Sequence, residues 1–163
     1  MNQIRAARPD DAACLSKIYN FYVDHSIVTF EEQPVPVDDF AERIRVLSGK
    51  LPWLVSQLDG DLTGFAYASP WKSRQAYRYS VETTIYLAPD QLGQGLGKLL
   101  YTELIKGLRK LGVHSLIAGI AQPNPVSATL HEKLGYRKIG EFEQVGYKFD
   151  RWIDVHYWEL LLD

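Results

Sequence analysis

Glu82 stands inside an apolar stretch, Val81-Glu-Thr-Thr-Ile-Tyr-Leu87, that leads into glycines at alternate positions, Gly93, Gly95 and Gly97. A carboxylate in a strand-like run is costly to bury unless its face is wet or functional. That makes Glu82 a candidate general base. Strand alternation places Glu82 and Thr84 on one face and Val81, Thr83 and Ile85 on the other. An exposed sheet face, or an ion pair with Arg78, would account for the same carboxylate. The glycines open a helical repeat of Leu96, Leu99, Leu100, Leu104, Leu108 and Leu111. The first N–H groups of a helix have no partner within it, and the macrodipole makes that end positive. Glycine lets a phosphate approach the backbone without a Cβ in the way. The segment Gly93, Gln94, Gly95, Leu96, Gly97 and Lys98 therefore predicts a phosphate or pyrophosphate site. A turn and helix start with no ligand is the alternative, since short glycine motifs match by chance.

Two common phosphate patterns fit poorly. A P-loop needs Gly-x-x-x-x-Gly-Lys-Ser/Thr. Gly97-Lys98 matches, but Leu92 replaces the first glycine and Leu99 the metal-binding hydroxyl. A dinucleotide fingerprint needs Gly-x-Gly-x-x-Gly near the first strand. Here Lys98 occupies the third glycine position and the motif lies mid-chain.

Other residues carry chemical potential beside a plainer role. Asn124-Pro125 is a helix N-terminal pairing. His131 lies on the helix that follows, where an imidazole can donate a proton near neutral pH or sit half buried as a structural group. Lys133 can pair with a phosphate or remain solvated. The segment Trp71-Lys-Ser-Arg-Gln-Ala-Tyr-Arg78 mixes cations and aromatics. It reads as a surface loop, or as a carboxylate-binding loop, since Arg suits bidentate carboxylate recognition.

The 163 residues suffice for one domain with a sizeable core. The net charge of −2 gives no basic field for nucleic acid or anionic membrane. No apolar stretch is long enough to span a bilayer, and the N-terminal residues lack the apolar centre of a signal peptide. Cys14 is the single cysteine, which excludes an intrachain disulfide and fits a cytoplasmic setting. Its helical apolar context predicts a buried, inert thiol. The four histidines lack ligand spacing, so no metal is expected.

The periodicities predict strands at 3–7, 53–58, 62–68, 79–87, 115–121, 136–145 and 153–162. Helices are predicted from Asp10 or Asp11 through Tyr22, from Asp38 or Asp39 to about Leu47, over 96–111 and over 124–134. Val28–Pro36 and Pro70–Arg78 read as loops, Asp59-Gly60 as a hairpin turn, and Gly112 as a helix C-cap. The order β-α-α-β-β-β-α-β-α-β-β implies an α/β (α+β) fold, a mixed and mostly antiparallel twisted sheet with helices on it.

Several blocks, in this order, carry a resemblance. They are Pro52-Trp-Leu-Val, Ala66-Tyr-Ala-Ser-Pro-Trp-Lys-Ser-Arg-Gln-Ala-Tyr, Val81-Glu-Thr-Thr-Ile-Tyr-Leu, Gly95-Leu-Gly, His131-Glu-Lys-Leu-Gly-Tyr, Gly146-Tyr-Lys-Phe and Arg151-Trp-Ile-Asp-Val. Over its whole length the chain resembles the GNAT superfamily of N-acetyltransferases, and within it the phosphinothricin acetyltransferase branch. Gly95-Leu96-Gly97 matches the second half of that family's pyrophosphate loop; Leu92 departs from its usual Gln or Arg.

The resemblance implies one GNAT domain over residues 1–163, with about seven strands and four helices. It implies acetyl-CoA as co-substrate, held by Ile85, Tyr86 and Leu87 of the strand, the loop from Gly93 to Lys98, Asn124 and Lys133. It makes Glu82 the base and His131 a candidate acid. The acceptor pocket would use Phe30, with Glu31 beside it, Lys72, Arg74, Tyr77, Glu82, Thr83 and Thr84. The implied reaction is direct attack of a small amino-acid-like amine on the thioester, in a cytoplasmic homodimer. Trp152, Tyr157 and Trp158 either form its contact patch or fill the core. Another acceptor, such as an amino sugar, polyamine or protein terminus, remains an alternative, as does an acyl-CoA-binding module without turnover.

Overall fold

The computed structural model describes residues 2–163. The strands are β1 (Asn2–Ala6), β2 (Trp53–Leu58), β3 (Asp61–Pro70), β4 (Ser80–Leu87), β5 (Ser115–Ala121), β6 (Arg137–Lys148) and β7 (Arg151–Leu161). The helices are α1 (Ala12–His25), α2 (Val37–Ser48), α3 (Leu96–Lys110) and α4 (Pro125–Lys133). The seven strands form one sheet in the order β1-β2-β3-β4-β5-β7-β6. Every neighbouring pair is antiparallel except β4 with β5. That parallel step needs a crossover, which α3 provides.

Strand alternation sorts the core onto the two faces of the sheet. On β3, Phe65 joins Leu15, Ile18, Tyr19 and Val23 of α1 and Phe40 and Ile44 of α2. Its neighbour Ala66 joins Leu100, Tyr101, Leu104 and Leu108 of α3 on the other face. Leu99 and Leu111 fall outside this buried stripe and are exposed. The β2–β3 hairpin turns through Asp59 and Gly60, both at positive φ (51° and 101°), as a two-residue turn matched to strand twist requires. Gly112 ends α3 with φ 74°. No helix among the described residues is long and apolar enough to cross a membrane.

Two local expectations are corrected. Cys14 is exposed. It follows Ala13 on the outer side of α1, while the inward stripe runs through Ala12, Leu15, Ile18, Tyr19 and Val23. Asp11 precedes α1, but its carboxylate does not cap the helix. It accepts two hydrogen bonds of 2.8 Å from the Arg5 guanidinium and one of 2.8 Å from the Arg8 N–H. The Arg5 bonds, foremost, hold its carboxyl below the usual range.

Candidate functional site

The sheet is open at its centre. Parallel pairing of β4 with β5 covers Ser80↔Ser115, Val81↔Leu116 and Glu82↔Ile117 and then stops, although β4 continues to Leu87 and β5 to Ala121. The direction of the main-chain groups beyond that point follows from strand parity. Trp71 N–H donates to Ser80 O at 3.2 Å and Ala88 N–H to Thr63 O at 2.9 Å, so even positions of β4 bond to β3. Ile85 and Leu87 therefore turn their main-chain groups toward the gap. On β5, Leu162 N–H donates to His114 O at 2.7 Å and Gln122 N–H to Asp154 O at 2.9 Å, so even positions bond to β7. Gly119 and Ala121 accordingly face the gap, and Gly119 is the exposed residue in an otherwise buried strand. The Leu87 carbonyl accepts the Tyr22 hydroxyl at 2.5 Å, which leaves its N–H as a gap-facing donor. Tyr86 does not belong with its neighbours: its backbone pairs with Phe65 and its ring is buried in the α1-side core.

The glycine turn lies at the open end of β4. Gly93 and Gly95 have φ of 77° and 79°, and a Cβ at either would meet nothing within 4 Å. Gly95 occupies the N-cap of α3 without a side-chain cap. Left-handed glycines before an uncapped helix start form an open, donor-lined cradle suited to a phosphate. Lys98 is exposed in the first turn of α3, and Gln94 is exposed with its amide 3.5 Å from Asp90 O. Leu96 is buried, and a Cβ on Gly97 would lie 3.1 Å from Leu130 and 3.7 Å from Ile85. The third glycine thus lets α3 approach β4 and α4, and these two positions offer main chain only.

The side chain of Glu82 lies half buried on the α1 and α2 face. Cross-strand neighbours are Ser69 on β3 and Ile117 on β5. No ion pair or hydrogen bond reaches its carboxylate among the described residues, and burial alone pushes its pKa up. Thr84 sits beside it opposite Tyr67. Tyr157 of β7 faces Gly119 on the same side, its hydroxyl pKa raised by burial and then by the Glu82 charge. Trp71 and Phe142 pack edge-on against the Tyr157 ring, with centroids 5.9 and 5.6 Å away. A carboxylate walled by aromatics is the result. Tyr67 and Ser69 were missed in the sequence because the β3–β4 register that sets them opposite Thr84 and Glu82 is not a local signal, and the wall role of Tyr157 because the β5-β7-β6 strand order is not one either.

Thr83 is corrected by the alternation that also places Glu82. It is buried on the opposite face, its hydroxyl 2.9 Å from the Tyr136 hydroxyl and 3.4 Å from that of Tyr101. His131 is corrected too. It is 3 % exposed, with Nδ1 2.7 Å from the Ser127 carbonyl and Nε2 3.0 Å from the Tyr101 hydroxyl. A carbonyl only accepts, so Nδ1 carries the proton and Nε2 accepts from Tyr101. Burial, partly offset by the Ser127 bond, holds its pKa below the ordinary value. A neutral imidazole with both nitrogens engaged is a core hydrogen-bonding group, not a proton donor to a ligand.

Asn124 caps α4 through Oδ1, which accepts from Ser127 N–H at 3.1 Å. Lys133 is exposed in the last turn of the same helix, away from that end. Lys72, Arg74 and Tyr77 are exposed on the loop that enters β4 just before Glu82. Lys72 lies 5.7 Å from the Trp71 ring centre, and Arg78 stacks on Tyr79 at 4.5 Å and bonds Gln75 O, not Glu82. Phe30 rests on Gly146, and Glu31 is held by Arg43 at 2.6 and 3.0 Å and by the Tyr19 hydroxyl. Arg43, foremost, lowers the Glu31 pKa, which keeps that second carboxylate ionised and occupied.

A splayed parallel pair, a glycine turn at a helix N-terminus and a half-buried carboxylate beside the splay define an acyl-transfer scaffold. The model of the acetyltransferase (GNAT) domain matches residues 4–157, and the chain belongs to this family as an N-acetyltransferase. It is similar to the phosphinothricin N-acetyltransferase of Streptomyces viridochromogenes, at 39% identity over 96% of this chain and 86% of the relative. It is similar to the L-methionine sulfoximine/L-methionine sulfone acetyltransferase of Salmonella typhimurium, at 38% identity over 98% and 94%. Among solved structures, the GNAT phosphinothricin acetyltransferase of Sinorhizobium meliloti in complex with acetyl-CoA superposes with a TM-score of 0.96. That match has 34% identity and covers 99% of this chain and 88% of the other.

Proposed function

We propose that this chain, as a single domain, transfers an acetyl group from acetyl-CoA to the α-amino group of a small amino acid of the phosphinothricin, methionine sulfone or methionine sulfoximine type. The observation that carries the reading is the end of the β4–β5 ladder at Glu82↔Ile117. It leaves gap-facing main-chain groups outside the ladder beside a half-buried carboxylate that has no partner among the described residues. Acetyl-CoA supplies an activated acetyl thioester. Its pyrophosphate suits the N–H groups from Gly93 to Lys98, and its pantetheine amides suit the free edges at Ile85, Leu87, Gly119 and Ala121.

Glu82 takes the proton from the acceptor ammonium, directly or through water; a carboxylate lifted by burial is a better base than a solvated one. The Leu87 N–H is the donor aimed at the carbonyl oxygen where negative charge develops. Water, not His131, protonates the departing thiolate. The acceptor's carboxylate needs a cation, since burying it unpaired is costly. Arg74, on the exposed loop before β4 and in the block shared with the family, is the candidate, with Lys72 and Tyr77 beside it, while Arg78 is stacked on Tyr79. The enzyme works as a homodimer through the β6–β7 hairpin, where Trp152, Phe142, Val145, Tyr147 and Phe149 are exposed at 63, 57, 56, 50 and 50 %; exposed apolar clusters of this kind mark contact surfaces. Buried Trp158 belongs to the core instead.

Thiol release from acetyl-CoA with L-methionine sulfoximine and with its carboxamide tests the proposal. The acid should be turned over and the amide should be poor. Equal rates would remove the carboxylate from recognition and the amino-acid assignment with it.

A further inference from the structure

The loop that carries Phe30 and Glu31 is held from across the molecule. Lys148, at the end of β6, is a lysine only 2 % exposed. Its ammonium donates to the carbonyls of Ser26 at 2.7 Å, Thr29 at 2.9 Å and Tyr22 at 3.5 Å. Three donors meet three carbonyls, and the nearby charges of Glu32 and Asp24 also favour the ammonium, which together offset the burial of a charge that has no carboxylate in direct contact. The Tyr22 and Ser26 carbonyls belong to the C-terminal end of α1, where a cation also complements the helix dipole. No N–H of Lys148 is left over for a ligand.

Gly146 makes the second contact. A Cβ there would lie 2.3 Å from two atoms of the Phe30 ring, so the ring rests on bare backbone. Gly146 and Lys148 are also the only buried positions in the twelve residues of β6. A register shift precedes them and a two-residue hairpin turn follows. The shift falls between Phe142 and Gly146, with Gln144 at φ 50°, and the turn runs through Phe149 and Asp150 at φ 53° and 57°. A one-residue slip sends every side chain to the opposite face, so the register shift before Gly146 and the unshifted pairing that follows it up to the turn fix Lys148 inward.

We infer that Lys148 and Gly146 are positioning residues for the acceptor pocket: the end of β6 clamps the 26–31 loop and sets where Phe30 stands. The pocket half of this inference rests on the acceptor site proposed above; the clamp half does not. Ordinary contact for a Cβ begins near 3.4 Å, so Gly146→Ala requires the Phe30 ring to retreat by about 3.4 − 2.3 = 1.1 Å. A misplacement of ~1 Å can cost up to roughly a hundredfold when it disturbs substrate alignment.

The experiment combines steady-state kinetics on L-methionine sulfoximine and acetyl-CoA with amide hydrogen exchange, for wild type, Lys148→Met, Gly146→Ala, Phe30→Ala and the Gly146→Ala/Phe30→Ala double variant. Lys148→Met and Gly146→Ala should raise the acceptor KM by about tenfold to a hundredfold and leave the acetyl-CoA KM within about twofold. Exchange should quicken over 26–31 in Lys148→Met and stay unchanged over 93–99. The double variant should be no worse than Phe30→Ala alone, since without the ring there is nothing for the new methyl to displace. Should Lys148→Met fail to fold, Gly146→Ala and the cycle carry the test. Parallel rises in both KM values, additive single effects, or unchanged exchange over 26–31 would overturn the inference. Wild-type protein inactive on every amino acid would instead sink the acceptor assignment, with the exchange data still deciding the clamp.

Discussion

Replacing Glu82 by Gln should slow the enzyme and stabilise its fold at once. Among the described residues the carboxylate has no cation or hydrogen-bond donor, and burial alone raises its pKa. A carboxyl whose folded pKa lies above its unfolded value binds its proton more tightly in the fold. Its ionised form therefore opposes folding at pH values above the folded pKa, and the penalty is relieved as pH falls through it. Gln keeps the shape without the charge, so Glu82→Gln should melt above wild type at pH 8, and the gap should close toward acid. Turnover should fall by about tenfold to a thousandfold, within the range for loss of a general base. The deficit depends on pH in a calculable way. The α-ammonium of a free amino acid, beside its own carboxylate, titrates above the ~8 of a chain N-terminus, so without a base the neutral amine falls about tenfold per pH unit below that pKa. Wild type should hold its rate down to the raised pKa of Glu82, whereas the variant should lose rate with unit slope as pH falls from the amine's own pKa. Initial rates from pH 6 to 9.5 and thermal melts at pH 5 and 8 measure both effects. A variant with the wild-type pH profile would refute the base assignment, and a variant that loses rate and melting temperature together would make Glu82 structural.

Other expectations follow from single contacts. Gly95→Val puts a branched side chain into an open left-handed position (φ 79°), and calorimetry should show acetyl-CoA binding weakened by at least about tenfold while the helix stays folded. Arg74→Ala should raise the acceptor KM about tenfold to a hundredfold, the equivalent of one charge-assisted contact of ~1.5–3 kcal/mol, with the acetyl-CoA KM unmoved. Trp152→Glu places a charge on a side chain that is 63 % exposed, and light scattering should show a dimer dissociating with little change in unfolding temperature.

Most of the architecture was legible because local signals agreed with it. The strands at 53–58 and 115–121 are bounded by turn residues, and the observed β2 and β5 have those same limits. The glycine turn was visible because Gly93 and Gly95 need the left-handed region that only glycine enters freely. Gly97 lies in the same run for another reason, the close approach of α3 to β4, and spacing cannot separate the two uses. Alternation already set Thr83 opposite Glu82, so its inclusion in an acceptor pocket came from resemblance against the residue pattern. Burial decided His131, and burial depends on Tyr101 and Tyr136 arriving from other elements. Tyr157 and the Lys148 clamp join residues far apart in the chain, through a β5-β7-β6 order that no local pattern encodes.

The central claim is acetyl transfer to the amine of a small amino acid. Purified protein should be given acetyl-CoA and an equimolar mixture of L-methionine sulfoximine, phosphinothricin, spermidine and glucosamine, and the products should be weighed by mass spectrometry. The account predicts a single acetyl group on the nitrogen of one or both amino acids, with the polyamine and the amino sugar unmodified. Acetylated spermidine or glucosamine as the main product, or intact acetyl-CoA with no product, would contradict it.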